Sequence, residues 1–216
     1  MSGHPAAKAQ AIATRLVEVM LNEKLAHRAM IVGSLRRQCK YVNDIDIVVS
    51  PVWISMQAGL FSDTDDIAEP EALDQWLAYK VKSSEGRVTW AQDADGTVRK
   101  AQNLRAIVVD GITVELWLTT VKGDNWGALV QMRTGPAEWN IGMSMRCRQL
   151  GLAYKAGYGI FRGHDRVDND TEEGIFHALG LPTRIPPRRR DEPALIQALK
   201  AGQLSLETLM PGGLDE

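Results

Sequence analysis

Two carboxylates one residue apart, Asp44 and Asp46, stand at the head of the apolar run Ile47-Val48-Val49. On a strand, residues i and i+2 project from the same face, so both acids point one way. Like charges that close repel each other unless a cation stands between them, and hard oxygen ligands favour a divalent one such as Mg²⁺. A third acid completes a two-metal site, whose ions lie about 4 Å apart and hold the attacking and leaving oxygens. Glu115 supplies it best, because it alternates with Val114 and Leu116, and an acid among buried strand residues is costly unless paired or metal-bound. Its rival Asp110 is accounted for by the turn pair Asp110-Gly111. Upstream, an apolar run over 29–32 stops at Gly33-Ser34. A strand ending in Gly-Ser and opening a helix presents free amides and a hydroxyl at the positive helix end, which suits phosphate. Arg36 and Arg37 follow within the first turn, where a guanidinium reaches further phosphate oxygens.

Those residues need elements to hold them. Ile12, Leu16, Met20 and Leu21 recur at helical spacing and predict a helix over 6–25. Residues 29–32 and 45–49 read as strands, the second ended by Pro51. The polar, acidic stretch 55–69 reads as a loop, and Leu73, Trp76, Leu77 and Val81 predict a helix over 71–82. Two hairpins are expected: 87–92 with 97–101 around Asp95-Gly96, and 104–109 with 112–118 around Asp110-Gly111. The first is polar and the second apolar enough to sit inside a sheet. Beyond Val121 the pattern turns helical, over 126–132, 138–150 and 172–179, and the tail from Pro211 is Gly-rich. Strands first and helices afterwards predict an α+β fold with a boundary near Lys122, giving domains 1–121 and 122–216.

Gly-Ser-x-Arg-Arg, a six-residue gap and Asp-x-Asp resemble the DNA polymerase X family. The likeness continues in order through Asn125-Trp126-Gly127, Thr134-Gly135-Pro136-Ala137-Glu138-Trp139-Asn140, Gly151-Leu152, Tyr158-Gly159-Ile160-Phe161, Thr171-Glu172-Glu173-Gly174-Ile175-Phe176, Leu179-Gly180-Leu181 and Ile185-Pro186-Pro187. The resemblance implies a nucleotidyltransferase palm, a mixed sheet flanked by helices, plus a small helical C-terminal subdomain. It implies that Asp44, Asp46 and Glu115 are catalytic and ligate two Mg²⁺ or Mn²⁺ ions. Ser34 and Arg37, with backbone from Gly33 and Asn43, would hold the triphosphate, Gly135 would belong to the nucleotide site, and Asn140 would face the incoming base. The implied activity is DNA-directed addition of deoxynucleotides to a primer 3′-hydroxyl, by in-line attack with pyrophosphate leaving, as in repair or gap filling.

The sequence also departs from that family. The third acid is Glu where the family has Asp, and Met132-Arg133 replaces the aromatic pair before Thr-Gly. Pro136 replaces the serine of the Thr-Gly-Ser turn, where the family bond is similar to a cis peptide. Proline cuts the cost of cis from about 3 kcal/mol to under about 1, so Gly135–Pro136 is expected to be cis. With 32 residues before Gly33, a minimal form without the N-terminal lyase and helix-hairpin-helix domains is expected.

At 216 residues, 44% hydrophobic and 24% charged, the chain suits a folded soluble protein. Cys39 and Cys147 are too few for a disulfide framework, so a cytoplasmic protein is expected, with no signal peptide or membrane span. The net charge of −2 excludes a general nucleic-acid coat protein and leaves DNA to local patches. Arg133, Arg146, Arg148, Lys155 and Arg162 face a single acid, Glu138, within 133–162, and Arg188, Arg189 and Arg190 form a second cluster. Primer-template or gapped DNA and a dNTP are the expected partners of a monomer. Two other readings stay open. One is a template-independent or small-molecule nucleotidyltransferase, and the other is a catalytically weak binding protein of the antitoxin type.

Overall fold

Alternating burial along the strands decides how this chain assembles. The computed structural model describes residues 3–55, 68–182 and 185–205. In chain order its elements begin β1 (His4–Pro5), α1 (Ala6–Asn22), β2 (Ala26–Ile31), α2 (Gly33–Arg36) and β3 (Tyr41–Val42). There follow β4 (Asp44–Pro51), β5 (Ile54–Ser55), β6 (Ala68–Glu69), α3 (Glu71–Ser83), β7 (Val88–Trp90), β8 (Lys100–Ala101), β9 (Leu104–Val109) and β10 (Ile112–Leu118). The remainder is α4 (Trp126–Thr134), α5 (Ala137–Gln149), β11 (Ala153–Lys155), β12 (Gly159–Arg162), β13 (Asp165–Arg166), α6 (Glu172–Ala178), a 3-10 turn Pro187–Arg189 and α7 (Pro193–Lys200). Most of the expected 55–69 loop, and the tail from Pro211, lie outside the described residues. The fold is α+β, and no helix among the described residues is long and apolar enough to cross a membrane.

The chain divides into two units, Met1–Ile31 with Asn43–Gly123, and Val32–Val42 with Asp124–Glu216. The expected boundary near Lys122 lies beside the second break, whereas nothing in the sequence marks residues 32–42 as part of the C-terminal unit.

The first unit is built on a mixed sheet of order β2-β4-β10-β9-β7, with β8 also on β9. β10 shows why it sits centrally: Ile112, Val114, Leu116 and Leu118 are buried while Thr113, Glu115 and Trp117 are half-buried. Asp110 and Gly111, at φ 47° and 83°, make the tight turn that their pair predicts. The other expected hairpin forms only near its turn: the bridge Gln92↔Val98 and the bonds from Asp93 N to Thr97 O and from Arg99 N to Ala91 O join its arms, while β7 and β8 each pair with β9. Polar arms gain less from each other than from the apolar β9. α1 lies against β2 and β4, and its buried seam is Ala9, Ala13 and Met20. The larger Ile12, Leu16 and Val19 line, with Trp76 of α3, a cavity of about 480 Å³. Asp74 of α3 receives both Arg105 Nε and Nη2, at 2.6 and 3.0 Å. Burial pushes the Asp74 pKa up, but hydrogen bonds and charge from Arg105 and Lys100 outweigh it and leave it lowered.

The second unit packs α4 to α7 around a core that includes Trp139, Met143, Ile160, Phe176 and Leu199. It also holds a three-stranded sheet, β11-β12-β13, that the helical reading of this region missed. Gly127 of α4 lies against the backbone of Thr171, so the Trp-Gly and Thr-Glu-Glu-Gly motifs are two sides of one contact. Thr171 caps α6 by accepting from Gly174 N at 3.0 Å. The Gly135–Pro136 bond is cis, as expected.

Candidate active site

β4 and β10 run parallel, and their register sets Glu115 opposite Asp46 and Thr113 opposite Asp44. Residues aligned on neighbouring strands share a face, and alternation brings Asp44 to the face of Asp46. The three acids therefore share one face, half-buried, while Ile45, Ile47, Val114 and Leu116 are buried on the other side of their strands. Trp117, the next residue on that face of β10, donates from Nε1 to Asp46 Oδ1 at 3.1 Å. Glu115 Oε1 accepts from Arg99 Nη2, and Arg99 Nε lies 3.4 Å from Asp93 Oδ1. The hydrogen bond to Glu115 raises the Arg99 pKa; burial opposes this, and the charges of Glu115, Asp93 and Asp44 add to it. Arg99 and Trp117 were not singled out in the sequence.

With Glu115 drawn to Arg99 and Asp46 to Trp117, no three His, Cys, Asp or Glu side chains among the described residues gather closely enough to hold an ion. The donor set nonetheless fits a divalent metal in kind. Three carboxylates, all hard oxygen donors, share one face of adjacent strands, and a protein cation already answers their charge.

In the second unit Gly33 opens α2 at φ 63°, a left-handed backbone that glycine adopts without penalty. Ser34 is half-buried beside it. Arg36, read as a phosphate ligand, is engaged elsewhere: Nη1 and Nη2 grip Glu172 at 3.0 and 2.7 Å, and Nη1 also donates to Thr134 Oγ1 at 2.6 Å. Arg190 joins them, with Nη1 on Glu172 Oε1 at 2.9 Å. Burial pushes the Glu172 pKa up, and the hydrogen bonds and charges of Arg36 and Arg190 more than reverse it, leaving it lowered. Arg37 donates from Nε to Asp191 at 2.8 Å and from Nη1 to the Thr134 carbonyl. Gly135 is buried at φ 63°, and a Cβ there would meet Arg37 Nη1 at 3.3 Å.

Asn140 is tied to the end of α4, donating to the Met132 carbonyl at 2.8 Å and accepting from Gln131 at 3.1 Å. Asn43 belongs to the first unit and is exposed.

The basic residues expected at DNA separate by exposure. Arg148, Lys155, Arg162 and Arg188 are exposed. Arg133 is half-buried, Arg146 donates to the Leu179 carbonyl at 3.1 Å, and Arg189 pairs with Glu192 at 2.8 Å. Arg190 must be withdrawn as a surface ligand, since it is 1% exposed and lies over the rings of Phe176 and Trp139.

This fold is that of the polymerase beta-like proteins. It is similar to a crystal structure of Leishmania infantum polymerase beta in a ternary P/T complex, at a TM-score of 0.59 and 20% identity over 88% of this chain and 77% of that one. A ternary gap complex of the same Leishmania infantum protein matches at a TM-score of 0.62 and 18% identity, over 88% and 71% of the two chains. No curated protein matches the chain. Residues 129–190, all in the second unit, match the family DNA polymerase beta thumb. The resemblance read from the motifs thus holds at the level of the fold, which is similar to that of polymerase beta, and over the stretch that matches its thumb.

Proposed function

We propose that the chain is a DNA-directed DNA polymerase that extends a primer 3′-hydroxyl with deoxynucleotides. The observation that carries this reading is the register of β4 and β10, which puts Asp46 and Glu115 side by side on the face that Asp44 shares, within a polymerase beta-like fold. In this reading Asp44, Asp46 and Glu115 hold Mg²⁺ or Mn²⁺. Two such ions, when bound, neutralise the charge that builds up as the 3′-oxygen attacks in line and pyrophosphate leaves. Glu115 also takes up the 3′-hydroxyl end, with one methylene more reach than Asp. Gly33 and Ser34 offer amides and a hydroxyl to the triphosphate. Arg37 joins them by exchanging Asp191, whose side chain is 43% exposed, for a phosphate oxygen. Arg148, Lys155 and Arg188 contact the DNA backbone, and gap filling in repair is the proposed role.

Primer extension on gapped, recessed and blunt DNA, with Mg²⁺ or Mn²⁺ and with dNTPs or rNTPs, tests the proposal. Templated dNTP incorporation is expected, with Asp46→Asn lowering the rate by about 100-fold or more. Incorporation that ignores the template selects the template-independent reading instead. No turnover on any acceptor points to a binding protein.

A further inference from the structure

Arg99 owes its place to the backbone. Its amide donates to the Ala91 carbonyl at 2.9 Å, and its carbonyl accepts from Ala106 N at 3.1 Å. Ala106 stands opposite Glu115 in the β9–β10 register. Arg99, Ala106 and Glu115 therefore form one row across the sheet, and a methyl group is all that Ala106 places between the other two. The Arg99 and Glu115 side chains are 29% and 13% exposed, so water and salt screen this pair less than an ion pair at the open surface. Asp93, whose side chain is 62% exposed, stands 3.4 Å from Arg99 Nε. The guanidinium thus has two acids within reach, one facing the acidic centre and one facing solvent.

We propose that Arg99 is the resident counter-ion of the acidic centre, holding Glu115 until a divalent cation takes that carboxylate, with Asp93 keeping the displaced guanidinium. The proposal rests on the metal-binding reading of Asp44, Asp46 and Glu115. A guanidinium on Glu115 occupies its oxygen and repels an incoming dication, so it competes twice. It also relieves the mutual repulsion of the acids before the metal arrives. Asp93 lowers the penalty of release because the arginine leaves one partner while retaining the other.

Mn²⁺ titration of the full chain, followed by the loss of the free-ion paramagnetic resonance signal, reads this competition without nucleotide or DNA. Arg99→Ala is expected to tighten Mn²⁺ binding by about three- to tenfold, in line with removal of one close, partly screened charge. Arg99→Lys, which keeps the cation, stays within about twofold of the parent. Asp93→Asn, which takes away the acid that would keep the displaced guanidinium, weakens binding. A role confined to structure would alter melting in all three variants and leave this order absent. Should Arg99→Ala melt early, Arg99→Gln and Asp93→Asn read the same competition with side-chain bulk kept. Unchanged or weaker Mn²⁺ binding in the Ala and Gln variants, while Asp46→Asn still weakens it, overturns the role of Arg99 and leaves the metal centre standing. Mn²⁺ binding that is absent throughout, or indifferent to Asp46→Asn, removes the metal centre and this proposal with it.

Discussion

Glu172 is where a single side chain joins two arginines of the second unit. Its carboxylate accepts from Arg36 and Arg190, and Arg190 is in turn enclosed by Phe176 and Trp139. A buried pair resists the loss of one partner because the remaining charge is left without water or counter-charge. Glu172→Gln would set two guanidinium groups against a neutral amide and is expected to lower stability by about 3 kcal/mol at neutral pH. The pH dependence follows from the lowered pKa of the folded form. A carboxyl whose pKa falls on folding contributes fully above the ordinary carboxylate range, and that contribution disappears as pH drops through the folded value. Urea unfolding between neutral and strongly acid pH should therefore show a steep acid loss in the parent and a flatter one in Glu172→Gln. Equal acid slopes in the two proteins would remove Glu172 from this account.

Elements differ in how openly the sequence declares them. β10 and its turn to β9 were legible because alternation and Asp-Gly are local signals, and the same alternation put Asp44 and Asp46 on one face, which the β4–β10 register extends to Glu115. The β11-β12-β13 sheet was not, since strands of three, four and two residues broken by glycines leave too little periodicity to read. Arg99 and Arg36 were illegible for another reason: their partners depend on the β8–β9 pairing and on a residue 136 positions away. The Trp-Gly motif was legible only as a likeness, and packing now supplies its cause. A Cβ on Gly127 would sit 2.2 Å from the Thr171 carbonyl carbon, with no flexible side chain to yield. Gly142 meets Leu199 Cδ2 at 2.8 Å, the end of a side chain that can turn. Gly127→Ala should therefore cost about 2–3 kcal/mol despite the better helix propensity of alanine, and Gly142→Ala clearly less. Thermal melts of both variants check this, and equal midpoints would mean that α4 and α6 separate freely.

For the molecule as a whole, charge limits how the proposed DNA partner would be held. The net charge of −2 gives no broad attraction to a polyanion, so the proposed binding would come from a few exposed cations. Withdrawing Arg190, and allowing for the partners of Arg146 and Arg189, leaves Arg148, Lys155 and Arg188 as exposed candidates beside Arg162. Each phosphate neutralised releases counterions and adds about −0.9 to the slope of log affinity against log salt. If three of these cations reach phosphates, the slope is about −2.7, and raising salt from roughly 50 to 200 mM weakens binding about 40-fold. Fluorescence anisotropy of a labelled gapped duplex over that range measures the slope. Arg148→Ala and Arg188→Ala should each make it shallower by about 1 while weakening binding to different sequences alike. An affinity indifferent to salt would mean that stacking or groove contacts, rather than these cations, hold the DNA. A slope unchanged in both variants would move the contact surface elsewhere on the chain.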